Sequence, residues 1–133
     1  MRTSIQTVLA LVIFMATSFF CILGSAADKA PTEIKIATWN LEWFFDHDQS
    51  DNKSQLAKKL SAPTAADWHW KRDEAARVIA KMKPTILALQ EIENEKVVLE
   101  LAKVLKTKHG LEYQVAFIKG RDTYTEQDVA FMY

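Results

Sequence analysis

Apolar residues recur along this chain with two different periods. Period-two alternation marks Glu33–Leu41, with Ile34, Ile36 and Thr38 on one side and Ala37, Trp39 and Leu41 on the other. Both sides are largely apolar, which predicts a central strand covered on both faces. Thr85–Glu91 is a short apolar run, entered through Pro84 and stopped abruptly by Gln90 and Glu91. Its length and flanks predict a buried strand fed by a tight turn. Tyr113–Lys119 and Asp128–Tyr133 read as a third and a fourth strand, separated by a turn at Gly120-Arg121-Asp122.

The helical period appears between the strands. Ala75, Val78, Ile79 and Met82 fall at i, i+3, i+4 and i+7 and form one stripe. That helix is expected to start near Ala65–Trp68, behind a Thr64-x-x-Asp67 capping pattern, and to end before Pro84. Asn94 can cap a second helix, Glu95–Lys108, with Val97, Val98, Leu101, Val104 and Leu105 as its buried face. Gly110 suits the residue after its end, and Leu111 the hydrophobic contact that accompanies it. Trp43–Asp67 is long and polar, with a loop over Asp46–Asn52 and a helical turn at Gln55–Leu60. The order β-α-β-α-β-β predicts an α+β fold that opens with parallel units and closes on a hairpin-like pair. The chain stops at Met132-Tyr133 inside the fourth strand, which predicts an edge without a partner and the front part of a larger domain.

The 17 basic and 17 acidic residues of the 133-residue chain balance to a formal charge of zero, so no whole-chain field favours nucleic acid. Residues 1–27 stand apart. Arg2, an apolar run from Val8 to Leu23, and small residues at Ser25 and Ala27 form the pattern of a secretory signal peptide cleaved after Ala27. An uncleaved anchor is the competing reading of so long a run. Cleavage predicts a secreted or periplasmic monomer spanning 28–133, with no stable membrane partner. The single cysteine, Cys21, lies inside the run, so the remaining chain has no disulfide or thiolate chemistry. With His47, His69 and His109 scattered, zinc has little to bind. Asp46-His47-Asp48 reads as loop, and Trp68-His69-Trp70 as a helix start packing its indoles.

Candidate chemistry sits where two strands end in polar tips, Trp39-Asn40-Leu41-Glu42 and Leu89-Gln90-Glu91. Parallel strands put both tips on one rim, where open α/β sheets place ligands. An amide oxygen from Asn40 and a carboxylate from Glu91 suit a hard cation such as Mg²⁺, with Mn²⁺ or Ca²⁺ as alternatives.

Three segments carry a resemblance: Ile36-Ala37-Thr38-Trp39-Asn40-Leu41-Glu42, Ile86-Leu87-Ala88-Leu89-Gln90-Glu91 and Gly120-Arg121-Asp122-Thr123-Tyr124-Thr125-Glu126-Gln127. In this order, each beside a strand end, they resemble the opening half of the endonuclease/exonuclease/phosphatase family. The third segment is similar to the deoxyribonuclease I branch. The resemblance implies the front part of a four-layer αββα sandwich and Mg²⁺-dependent phosphodiester hydrolysis, most simply of DNA or RNA. A phosphatase or phospholipid phosphodiesterase of the same fold, or a non-catalytic truncated chain, remains open. By position, Glu91 matches the metal-binding glutamate, Asn40 the asparagine that contacts metal or phosphate, and Glu126 the glutamate that orients a catalytic histidine. Tyr124 matches a tyrosine that packs against the nucleic-acid backbone, and Arg121 is a candidate phosphate contact. Glu42 stands where some relatives carry an acidic metal ligand.

Two departures qualify these expectations. Glu93 stands where the deoxyribonuclease I branch carries an arginine that reads the minor groove, and an acid there repels phosphate, which argues against double-stranded DNA as substrate. The family's catalytic His, Asp-x-Asn and closing Asp-His fall beyond Tyr133, so the 133 residues alone are expected to be inactive.

Overall fold

The helix boundaries follow from their caps. In the computed structural model, which describes Glu33–Tyr133, Thr64 accepts from the Asp67 N–H and donates to the Asp67 carboxylate. The signal peptide read at 1–27 lies outside the described residues. Asn94 accepts from the Val97 N–H, and Gly110, at φ 67°, ends the following helix with its own N–H and that of Leu111 turned back onto the last carbonyls. The elements are β1 (Ile36–Phe44), α1 (Gln55–Leu60), α2 (Ala65–Met82), β2 (Ile86–Ile92), α3 (Glu95–His109), β3 (Val115–Ile118) and β4 (Asp128–Met132).

The fold is mixed α+β, built on one four-stranded mixed sheet in the order β1-β2-β4-β3. β1 and β2 are parallel, with Asn40 opposite Gln90, while β4 runs antiparallel to both β2 and β3. β2 and β3 are therefore parallel in direction with β4 inserted between them. Contrary to expectation, β4 is an interior strand paired on both sides, and β1 and β3 form the edges. Insertion of β4 lets it pair its N–H and C=O groups along both edges, with β2 on one and β3 on the other.

The core lies on one face of the sheet. Trp39, Leu41, Leu87, Leu89, Ala130 and Met132 point to that face, where Ala75, Ile79, Val97, Leu101 and Leu105 of α2 and α3 cover them. Trp68 anchors the start of α2, packing edge-on against Phe44 and donating its indole N–H to Glu100. Trp70 on the same helix remains 70% exposed, so only the first indole of the Trp-His-Trp run is used in packing.

The other sheet face is uncovered. Ile36 is 72% exposed, and Val129, Phe131 and Ile118 are exposed along the same side. This corrects the reading of β1 as a strand covered on both faces. Its apolar alternation is real, but among the described residues no element packs behind it.

The two faces should respond differently to substitution. Leu89→Ala is expected to lower the unfolding free energy by about 2–5 kcal/mol, since it opens a cavity in the covered face. Ile36→Thr is expected to stay within about 0.5 kcal/mol. Urea titration of both variants checks this, and equal losses would show that the outer face is covered.

Candidate rim site on strands β1 and β2

The site starts from a conflict between two side chains for one core position. Leu87 and Leu89 face the core, so strict alternation would send Glu91 inward and Ile92 outward. Ile92 is fully buried, and the β2 register shifts between Gln90 and Ile92 to allow it. Glu91 is the extra residue of that bulge, in the left-handed region at φ 59°. β1 does the same between Asn40 and Phe44, where Glu42 (φ 51°) and Trp43 (φ 54°) are left-handed and Phe44 reaches the core. Non-glycine residues in this conformation cost on the order of 1–3 kcal/mol each and persist only where surrounding contacts hold them.

Those contacts join the two strand tips. Asn40 Nδ2 donates to Glu91 Oε1 at 2.7 Å, and the Trp43 N–H donates to Glu91 Oε2 at 3.1 Å. Asn40 Oδ1 accepts from the Glu42 N–H at 2.8 Å. Behind the bulge, Lys71 Nζ donates to the Glu42 and Trp43 carbonyls at 2.8 and 2.6 Å. Burial holds the Lys71 ammonium below the ordinary lysine range, while the Glu42 and Glu91 carboxylates pull it back up.

The structure thus brings Asn40, Glu42 and Glu91 to one place. Each oxygen of Glu91 receives one donor and keeps a further lone pair for a cation. Asn40 acts first as a donor that orients Glu91, rather than through a free amide oxygen. Among the described residues no group of three or more His, Cys, Asp or Glu side chains is gathered as for a metal ion, so a cation here would depend on one or two carboxylates, the amide and water.

Glu126 is built into the same end of the sheet by other means. It is left-handed at φ 57°, just ahead of Asp128, which pairs with Ile92. Its carboxylate accepts from the Lys53 and Ser54 N–H groups at 3.0–3.1 Å. Ser54 caps α1 and also donates to the Tyr124 carbonyl. Arg121 and Tyr124 are exposed, Tyr124 to 72%, and Arg121 lines an open groove of about 370 Å³ with Lys53, Lys119 and Glu126.

Glu93 does not stand where the sequence placed it. It is 3% exposed and turned inward, so it presents no charge to a ligand at the rim. Glu93 Oε2 accepts from the Asp46 N–H at 2.7 Å and Oε1 from the Asn52 amide at 2.6 Å, holding both ends of the Asp46–Asn52 loop. Asp46, 1% exposed, pairs with Lys96. Burial pushes the Glu93 carboxyl up to about 7, neighbouring Asp46 and Asp51 add to the rise, and the two donors oppose it.

Sequence reasoning missed Lys71 and the Glu93 latch. Lys71 leaves a trace, because it lies four and eight residues before Ala75 and Ile79, so a cation continues the apolar stripe of α2. Asp46 and Asn52 leave none, since a buried polar loop is indistinguishable from an exposed one in composition. Compared with family models, with curated proteins and with solved structures, the chain finds no match.

The Glu93 latch gives a pH dependence of unusual sign. Between 4.5 and about 7 the carboxyl is protonated in the folded chain and ionised in the unfolded one. Unfolding releases that proton, so this group's contribution falls as pH rises through the window. Glu93→Gln removes it. The melting temperature of wild type minus that of Glu93→Gln is expected to decrease from about pH 5 to about pH 8. A difference that stays flat or rises would refute the assignment.

Proposed function

We propose that this chain carries the cation-binding rim of a metal-dependent phosphodiester hydrolase, a nuclease acting outside the cytoplasm. The observation that carries the reading is the convergence of Asn40 and Glu91 on adjacent parallel strands, Glu91 within a left-handed bulge and Asn40 just ahead of another. Bulges of this kind are over-represented beside active sites. Two of the three segments that resemble the endonuclease/exonuclease/phosphatase family end at these bulges, which supports the reading.

The donor set fits Mg²⁺. Glu91 would be the carboxylate ligand, Glu42 a second acid on the neighbouring β1 bulge, and Asn40 the residue that keeps Glu91 in place and turns its remaining amide hydrogen to a phosphate oxygen. Mg²⁺ bound there would neutralise a phosphate and polarise it toward attack. Tyr124 and Arg121, exposed on one loop beside Glu126, would contact the substrate backbone. Glu93 faces inward, so its charge gives no argument against nucleic acid.

The fold supports the same reading. One sheet with helices on one face and bare apolar residues on the other is the arrangement expected of half a four-layer αββα sandwich, in which a second sheet would pack on the bare face.

Calorimetric titration with Mg²⁺ tests the proposal. Wild type is expected to bind one ion and Glu91→Gln to bind at least about 10-fold more weakly, with Asn40→Ala weakened less. Equal affinity in wild type and Glu91→Gln would overturn it.

A further inference from the structure

We infer that Lys71 is a positioning residue for Glu91, acting through the Glu42–Trp43 peptide bond. The Glu42 carbonyl and the Trp43 N–H belong to one trans peptide unit, so they point in opposite directions. Lys71 Nζ takes the carbonyl at 2.8 Å, and Glu91 Oε2 takes the N–H at 3.1 Å. The order is ammonium, peptide, carboxylate, with the charges at the two ends of the peptide dipole. Each bond polarises the other, a strengthening on the order of 10–30% per bond in such chains.

The indirect link has a chemical consequence. A lysine bonded directly to Glu91 would occupy the lone pairs that a cation needs. Placed behind the peptide, Lys71 offsets part of the carboxylate's charge and fixes its orientation while leaving its outer lone pairs open. The same ammonium also takes the Trp43 carbonyl at 2.6 Å, which already accepts from the Phe45 N–H at 2.8 Å. Both left-handed residues of the β1 bulge are thereby held by one side chain from α2. Among the described residues Lys71 is the side chain of α2 that bonds the Glu42 and Trp43 carbonyls, and without it the Glu42–Trp43 peptide is free to rotate and carry the Trp43 N–H off Glu91 even while Phe44 stays packed on Trp68.

This inference rests on the cation-binding reading of the rim, and the test separates the two. Mn²⁺ alone is the probe, titrated by electron paramagnetic resonance into the full chain as wild type, Lys71→Met, Lys71→Arg and Glu91→Gln. The Trp43 amide is followed in parallel by ¹H–¹⁵N NMR. Removing a nearby positive charge should tighten cation binding if Lys71 acts only through its field. Positioning predicts the opposite: Lys71→Met weakens Mn²⁺ binding by about 10-fold, the Trp43 amide proton moves upfield, and Lys71→Arg recovers most of both. Unchanged or tighter binding in Lys71→Met, with Glu91→Gln still impaired, would overturn the inference and leave the cation site standing. Unaltered binding in Glu91→Gln would overturn the cation site, and the Trp43 resonance then decides Lys71 alone, an unmoved signal counting against it. If Lys71→Met does not fold, Lys71→Ala, which also removes the donor, is measured in its place against the same outcomes.

Discussion

Ile92 and Phe44 must both reach the core, and strict alternation cannot deliver them. This constraint shapes the rim more than any polar interaction does. Burying both side chains completely favours folding by about 1.5–3 kcal/mol each. That gain is of the same order as the cost of left-handed backbone at Glu91, Glu42 and Trp43. The bulges are the geometric result. They turn Glu91 off the core face and set the Trp43 N–H toward it, so the hydrophobic core of this molecule places the polar groups of its candidate site. The hydrogen bonds among Asn40, Glu91, Trp43 and Lys71 then hold a conformation that packing has already imposed.

What the sequence showed well was local and periodic. Thr64, Asn94 and Gly110 announce their helix ends because a cap is a short-range hydrogen bond between residues close in the chain. Gln55–Leu60 and the apolar runs of β2 and α3 were legible for similar reasons. Pairing was less so. The apolar character of Ile34 and Ile36 does not say whether a layer covers them, and the Asp128–Met132 strand gives no local sign that it inserts between β2 and β3. At the rim, Asn40 and Glu91 were found as strand tips, but the bulges that aim them depend on which residue wins a core position. Only the packed structure decides that. Glu93 was misplaced for the same reason: two residues beyond the bulge at Glu91, it faces inward.

The polar interior around Glu93 and Asp46 shows a different economy. Among the described residues no buried side-chain nitrogen or oxygen is left without a partner, although five polar residues are nearly inaccessible. The loop after β1 uses this network together with the buried Phe45 at its start. Its carboxylates accept from loop amides, and Lys96 supplies the compensating charge from α3. Such an arrangement fixes a loop at specific points, at the expense of making its stability sensitive to protonation.

Glu126 joins segments 72 and 73 positions apart in sequence by receiving the N–H groups of Ser54 and Lys53 in one carboxylate. Mechanically, the loop before α1 and the turn before β4 form a single span with a fixed width. A residue added to one side cannot be absorbed there as a harmless bulge, because the clamp would transmit the displacement to Tyr124 and Arg121 on the other. Changes of length in these two connections therefore have to occur together or at points outside the span. A surface that looks like two independent loops has the freedom of only one.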